Sequence, residues 1–339
     1  MHRCLELARL GAGHVAPNPM VGAVLVYEDR IIGEGYHELY GKAHAEVNCI
    51  NSVADADREY IDRSTIYVSL EPCAHHGKTP PCADLLIANR IPRVIVGCRD
   101  PFPQVNGKGI EKLKAAGIEV QLGILEKECE QLNRRFFTFH TRHRPYIVLK
   151  WAQSVNGFIA RAGERTPISN EYSNRLVHKW RSEEAAILVG PRTALIDNPA
   201  LTARLWTGPD PIRLVIDKQL ALPAELRLFD KKTKTIVFNQ VKHEEADPLL
   251  TYYQLAGDSS IINQILVALH HGKIQSVLVE GGARLLQSFI DEDAWDEARI
   301  ITNNELHLPA GLPAPRLANA ILQSHESLLS DTIRYYQHD

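Results

Sequence analysis

Two α/β domains in series are what this sequence predicts, and two observations carry that prediction. Short apolar runs rich in β-branched residues alternate with segments of helical periodicity along nearly the whole chain, the rhythm of layered α/β domains. That rhythm lapses into a polar, basic stretch at 140–145 (HTRHRP) and then resumes. The boundary falls there, giving domains of 1–143 and 144–339.

Cys4 to Leu10 has apolar residues at helical spacing and stops at Gly11, which predicts a first helix. VGAVLV at 21–26 is a buried strand, 27–30 a turn, and 31–35 a second strand pairing back on it. A helix follows over 44–53, with Val47, Ile50 and Val53 on one side. TIYVSL at 65–70 is a strand, 81–89 a helix opened by proline, and 93–96 another strand. A helix at 109–116 ends on Gly117 before a strand at 118–122. In the second half, strands are predicted at 146–151, 186–189, 212–216, 235–238, 276–279 and 299–302, with a helix at 260–270.

Bulk properties narrow the function classes. Of 339 residues, 45% are hydrophobic and 23% charged, enough for two separate cores. The net charge of −3 provides no global field toward nucleic acid or an anionic membrane. No stretch approaches the ~20 apolar residues that span a bilayer, and the N-terminus lacks a signal-peptide core. The expected protein is soluble and cytoplasmic. Six scattered cysteines are too few for a disulfide framework, so cysteines at special spacing point to metal or chemistry.

Two short motifs meet that description. His44-Ala45-Glu46 opens a predicted helix. Glu71-Pro72-Cys73 directly follows a strand, and Cys82 comes nine positions later behind two prolines. Alone, the first also fits a solvated helix start, and the second two unrelated cysteines. Together they supply one histidine, two cysteines and a glutamate that is not a ligand, the set a zinc deaminase uses. Each cysteine is expected near a helix start, where the dipole favours the thiolate. Three protein ligands leave the fourth tetrahedral position for a water of lowered pKa, and Glu46 is placed to move its proton. Two other readings stay open: a nucleic-acid base deaminase, and a structural zinc module, closed by Cys98 or another histidine, joined to a ligand-binding domain.

Most zinc deaminases place two residues between the cysteines; EPCAHHGKTPPC has eight. With APNPMVGAVLV, GEGYH, HAEV and DPFPQVNGKGI, this segment resembles the bifunctional deaminase/reductase family of riboflavin biosynthesis, and the similarity runs along essentially the whole chain. The resemblance implies a cytidine-deaminase-like three-layer α/β domain followed by a dihydrofolate-reductase-like domain. It implies zinc held by His44, Cys73 and Cys82, Glu46 as the catalytic residue, and a diaminopyrimidinone substrate carrying a phosphoribosylamino group. Asn18, His37, His75, Lys78 and Asp100 would hold that substrate. Where relatives commonly carry Asn, this chain has Phe102, and any polar contact from that side chain is lost.

The second half is less explicit by itself. Lys150 to Gly157 reads as a strand running into an Asn-Gly turn, and Leu278 to Ala283 as a strand, two glycines and a helix start. Such a turn lets backbone N–H groups approach a phosphate, although a plain tight turn has the same pattern. No G-x-G-x-x-G is present, so a Rossmann domain is not supported. VLKWAQSVNGFIA, HKWRSEEAAILVG, DNPALTAR and LVEGGARLL resemble the reductase domain of the same family. That implies NADPH as hydride donor, with Ala152, Thr193, Asp197 and the turn Gly282, Ala283, Arg284, Leu285 and Leu286 beside it. Lys150, Arg181, Leu201, Arg204 and Glu280 would face the substrate, the arginines taking its phosphate. Arg165 and Pro167 stand where relatives commonly carry a small hydroxyl residue and an aromatic, so those contacts are not carried over. The expected partner is this phosphoribosylaminopyrimidine, not nucleic acid or membrane, and the expected assembly is a homo-oligomer, a dimer or tetramer.

Overall fold

The fully apolar run Ala23–Leu25 can only be satisfied between two layers, and that is where the computed structural model places it. The structure describes residues 1–75, 80–161, 163–257 and 259–339. It divides the chain into two compact units, Met1–His143 and Arg144–Asp339.

The first unit comprises α1 (His2–Arg9), β1 (Gly22–Tyr27), β2 (Arg30–Tyr36), α2 (Ala45–Asn51), β3 (Thr65–Leu70), α3 (Cys82–Ala88), β4 (Arg93–Cys98), α4 (Lys108–Ala115), β5 (Glu119–Leu122), α5 (Glu126–Leu132) and α6 (Arg134–Thr141). The sheet order is β2-β1-β3-β4-β5. β1 runs antiparallel to β2 and β3, and β3, β4 and β5 run parallel. Cys49, Ile50, Ala83, Leu86 and Leu113 cover one face with α2, α3 and α4, while Leu5 and Cys129 cover the other from α1 and α5. Three layers result. The predicted helix at 44–53 is shorter, with His44 outside it as the residue preceding its first turn. Helices α5 and α6 went unpredicted because charged residues fill their exposed faces and leave short apolar stripes.

Two glycines of GEGYH set how closely α2 approaches the sheet. A Cβ at Gly33 would lie 2.6 Å from the Cys49 carbonyl oxygen. One at Gly35 would lie 2.3 Å from the Cys49 amide nitrogen and 2.7 Å from the Ala45 carbonyl oxygen. Only a bare backbone lets the helix that begins after His44 sit this close.

The second unit comprises β6 (Tyr146–Ser154), β7 (Phe158–Ala160), α7 (Glu171–Glu183), β8 (Ala186–Val189), α8 (Pro191–Asp197), β9 (Ile212–Ile216), β10 (Thr235–Asn239), β11 (Glu244–Asp247), β12 (Leu250–Gln254), α9 (Ile261–His271), β13 (Ser276–Glu280), α10 (Ala283–Asp291), β14 (Glu297–Asn303), β15 (Leu312–Pro313), β16 (Ala320–Leu328) and β17 (Asp331–His338). Its main sheet runs β11-β12-β10-β9-β8-β13-β6-β14-β17-β16. From β12 to β14 all neighbours are parallel, and the edges are antiparallel. Parallel strands need both faces covered, which is why AILV and SVLV read as unbroken apolar runs. Leu266, Phe289 and Ile290 seal one face, Val177, Trp180 and Ala194 the other. The C-terminal hairpin β16/β17 escaped the sequence analysis: β16 is exposed along most of its length, so no alternation marks it.

Gly35→Ala is expected to push α2 off the sheet, destabilising the first unit by about 1–3 kcal/mol. Because His44 and Glu46 ride on α2, zinc bound per chain, measured by metal analysis of the purified protein, should fall with it; full zinc occupancy in the variant would disprove this coupling.

Candidate functional site

In the first unit, His44 stands before α2, Cys82 opens α3, and Cys73 lies in the irregular segment between β3 and α3. The sequence placed Cys73 near a helix start, and it sits against one without opening a helix of its own. Its sulfur instead accepts the Cys82 backbone N–H at 3.3 Å, so the start of α3 serves both cysteines. His44 Nδ1 lies 3.7 Å from Cys73 Sγ and 3.3 Å from Cys82 Sγ. Tetrahedral zinc with ordinary Zn–N and Zn–S bonds separates such atoms by about 3.6 Å, so the three donors fit that ion. Among the described residues this trio is the one His/Cys/Asp/Glu group with metal-binding geometry. Cys98, the alternative fourth ligand, faces the core beside Leu5 and Cys129 with its thiol on the Ser69 carbonyl.

Glu46 is buried on the first turn of α2. Burial, reinforced by Cys73 and opposed by His44, raises its carboxyl pKa to about 7. The ordinary thiol range is abandoned at Cys73, whose pKa drops to about 4 on hydrogen bonding to Cys82 and His44. His37 packs its ring 5.3 Å from that of His44. Its Nδ1–H donates to the Ala43 carbonyl at 3.0 Å, which leaves Nε2 to accept from Asn18 Nδ2 at 3.1 Å. Both nitrogens are thus used by the neutral ring, and burial lowers its pKa accordingly. Asp100 is buried, and that burial, with Glu71 and Cys73 nearby, lifts its pKa to about 7. His75 meets Phe102 edge-on at 6.0 Å, and Phe102 meets His140 at 5.0 Å, so an aromatic contact occupies the position of the lost asparagine. Lys78 lies outside the described residues.

Glu71, quoted above only as part of a motif, organises this region. Its buried carboxylate accepts backbone N–H groups of Asp100 (3.3 Å), Gly107 (3.0 Å), Gly109 (3.0 Å) and Ile110 (3.2 Å). The start of α4 and the DPFPQVNG loop therefore hang on one side chain. A Cβ at Gly109 would lie 1.9 Å from the Pro72 carbonyl oxygen, which explains the glycine.

In the second unit, the β6/β13 register sets Lys150 opposite Glu280. Arg181 of α7 binds Glu280 bidentately, Nε to Oε1 at 2.8 Å and Nη2 to Oε2 at 2.7 Å, and gives Nη1 to the Thr202 carbonyl at 3.2 Å. Arg181 lines a cleft with Lys150 and Glu280, and three of its five N–H donors are already engaged within the protein. Burial alone would raise the Glu280 pKa; Arg181 and then Lys150 outweigh it and hold it at about 2. His178, one turn before Arg181, was missed; burial and then Arg181 lower its pKa to about 4. The i, i+3 spacing in HKWR carried that signal.

Lys150, Ala152, Thr193, Asp197, Leu201, Arg204, Glu280 and Gly282 line one cleft of about 520 Å³. Gly281 and Gly282 have φ of +74° and +68°, and a Cβ on them would press on Thr193 at 3.0 and 3.1 Å. Ala283 and Arg284 open α10 just beyond. Leu285 and Leu286 turn into the core, so neither side chain lines the cleft; only the backbone of that turn can. Leu201 is also buried and contributes shape. Arg165 and Pro167 line the same cleft, as do Arg192 and Arg227, which the sequence gave no reason to select.

The family profile described as the cytidine and deoxycytidylate deaminase zinc-binding region matches residues 1–98, and the RibD C-terminal domain matches 145–304. Riboflavin biosynthesis protein RibD of Aquifex aeolicus is 41% identical over 87% of this chain and 83% of its own length. The chain belongs to the RibD family. The Escherichia coli RibD is 36% identical over 88% of this chain and 84% of its own. A diaminohydroxyphosphoribosylaminopyrimidine deaminase/5-amino-6-(5-phosphoribosylamino)uracil reductase of Thermotoga maritima superposes with a TM-score of 0.90 at 36% identity, covering 100% of this chain and 97% of that one. Acinetobacter baumannii RibD also reaches 0.90, at 31% identity over 99% and 97%. As a RibD-family protein this chain is a riboflavin biosynthesis enzyme with a zinc-binding deaminase domain and a reductase domain.

Two outcomes follow from the two carboxylates. Glu71→Ala leaves four buried N–H groups unsatisfied and should cost about 3 kcal/mol or more, read from urea unfolding of the first unit; Glu71→Gln, which keeps one acceptor oxygen, should lose less. For Glu280, the pKa falls from the ordinary 4.5 to about 2 on folding. Its contribution is therefore complete above about pH 4.5 and is lost as the pH drops toward 2. All four tryptophans lie in the second unit, so their fluorescence follows its unfolding. The urea midpoint should fall between pH 5 and pH 3, and Glu280→Gln should flatten that slope and cost about 3–5 kcal/mol. An identical slope in variant and wild type would exclude Glu280 as the group.

Proposed function

We propose that the first domain deaminates 2,5-diamino-6-(5-phosphoribosylamino)pyrimidin-4-one. The second then reduces the ribosyl group of the resulting 5-amino-6-(5-phosphoribosylamino)uracil to ribityl with NADPH. The observation that carries this is the His44/Cys73/Cys82 trio with zinc spacing beside the buried carboxyl of Glu46. His44, Cys73 and Cys82 would hold zinc, which when bound would supply an activated water for attack on the amino-bearing ring carbon. Glu46, with a pKa raised by burial to about 7, can accept the water's proton and pass it to the ring nitrogen and the departing ammonia. Asn18 and neutral His37 form a polar wall beside the trio, and Asp100, His75 and Lys78 are assigned to the rest of the substrate.

In the second domain the Gly281–Gly282 turn, held against Thr193, offers backbone N–H groups at the start of α10 to a cofactor phosphate. Ala152 and Asp197 line the same space, and NADPH bound there supplies hydride to C1′ of the opened sugar. Lys150, Glu280 and Arg204 face the substrate, with Arg181 holding Glu280 in place. The backbone of 283–286 contributes to the cofactor turn.

The substrate is a small phosphorylated molecule, in keeping with a net charge of −3 that gives nucleic acid no general field. Six free cysteines suit a reducing cytoplasm. We assign a homo-oligomer, a dimer or tetramer, since the edge strand β16 carries half-exposed Ile321 and Leu322 that another copy can cover.

The test is ammonia release from the diaminopyrimidinone substrate by zinc-loaded enzyme, then NADPH oxidation when cofactor is added. Glu46→Gln should retain zinc by metal analysis but release ammonia about 10²–10⁴-fold more slowly. A zinc-loaded wild type that releases none would sink the substrate assignment.

A further inference from the structure

The arginine that the sequence offers first for a phosphate is already engaged. Arg181 gives both edges of its fork to Glu280 and the Thr202 carbonyl, and freeing it would break a buried ion pair. Of the five other arginines lining the same cleft, Arg204 feels the charges of two, Arg165 and Arg227. Among the described residues none of the three makes a salt bridge, although Asp197 attracts Arg165 and Asp210 attracts Arg204 from farther away. They arrive from three separate segments, before α7, after Leu201, and at the head of the 3-10 turn Arg227–Phe229. Seven cationic side chains line this cleft against three carboxylates, in a chain whose net charge is −3.

The cluster is close enough to interact with itself. Burial and then the charges of Arg181, Arg227 and Arg165 lower the Arg204 pKa. The backbone around Arg227 is fixed on both sides: its N–H donates to Asn198 Oδ1 at 2.8 Å, and its carbonyl accepts from buried Arg213 at 2.9 Å. Like charges gathered in a concave site repel one another, and a bound dianion removes that repulsion. A guanidinium group meets a phosphate through two parallel N–H donors, a geometry lysine does not offer.

We propose that Arg165 and Arg227 join Arg204 in a phosphomonoester clamp that sets specificity in the reductase cleft. The clamp rests on the reductase assignment above and adds two residues to it. Arg165 stands where relatives commonly carry a small hydroxyl residue, so its share of the clamp is a feature of this chain. Two groups in the reaction share the required chemistry, the 5′-phosphate of the substrate and the 2′-phosphate of the cofactor.

The experiment compares the whole wild-type enzyme with Arg227→Ala, Arg165→Ser and Arg227→Lys, after circular dichroism shows that each variant folds. KM is measured for NADPH, NADH and the phosphorylated substrate, and ribose 5-phosphate and 2′,5′-ADP are titrated calorimetrically as binding probes. Losing one arginine should weaken one arm about 10- to 100-fold, with KM rising more than kcat falls, and Arg227→Lys should recover part of the loss. Weakening of NADPH and 2′,5′-ADP, with NADH unaffected, assigns the clamp to the cofactor. Weakening of the substrate and ribose 5-phosphate assigns it to the sugar. If the Ala and Ser variants keep every constant within twofold of wild type, the clamp is refuted. A wild type that consumes no NADPH would overturn the reductase assignment instead, and the two calorimetric probes would still decide the clamp.

Discussion

A carboxylate buried at the end of a parallel strand must be completely satisfied or it unfolds its surroundings, and each half of this protein is organised around one. Glu71 follows β3 and takes four backbone N–H groups; Glu280 ends β13 and takes the fork of Arg181 with Lys150 opposite. The difference between the two partner sets explains their different work. Backbone donors tie Glu71 to a loop and a helix start, so it fixes the segment that carries Asp100 and Phe102. Side-chain donors keep Glu280 in the wall of a cleft, together with Arg181 and Lys150.

The parallel arrangement supplies the rest. Strands that run the same way deliver their carboxyl ends to one edge of the sheet, where the following helices begin and where ligands of open α/β sheets are found. β3 leads to Cys73, α3 begins with Cys82, and α2 begins behind His44, so three distant stretches meet at one point. In the second unit β8 and β13 end at Val189 and Glu280 in the wall of the cleft, and β6 passes it with Lys150 and Ala152. Glycines without room for a Cβ then set the spacing: Gly33 and Gly35 under α2, Gly109 against Pro72, and the Gly281–Gly282 turn against Thr193.

Charge is distributed unequally between the sites. In the deaminase half burial dominates, raising the Glu46 and Asp100 carboxyls toward neutrality and keeping His37 uncharged. That environment suits proton transfer near pH 7. The reductase cleft instead gathers arginines, and one of them, Arg181, is matched by the carboxylate of Glu280.

The amino-acid sequence by itself determined the alternation of strands and helices, the buried strands, and the zinc chemistry, because apolar periodicity and the His/Cys/Cys/Glu set are local or nearly local properties. It also carried the family, through motifs such as EPCAHHGKTPPC and LVEGGARLL. Only the tertiary structure decided what each polar side chain is free to do. Arg181 and Arg204 look alike along the chain, yet one is locked to Glu280 across 99 positions and the other is not. Cys73 reaches a helix start only by borrowing that of Cys82, Leu285 and Leu286 turned into the core, and Glu71 became a capping residue for a helix that begins 37 residues later at Lys108. Arg165 stood out only as a departure from relatives, and Arg227 carried no signal at all. A side chain's partners are set by burial and strand register, which are properties of the folded whole, whereas the capacity for chemistry is written in the residue itself.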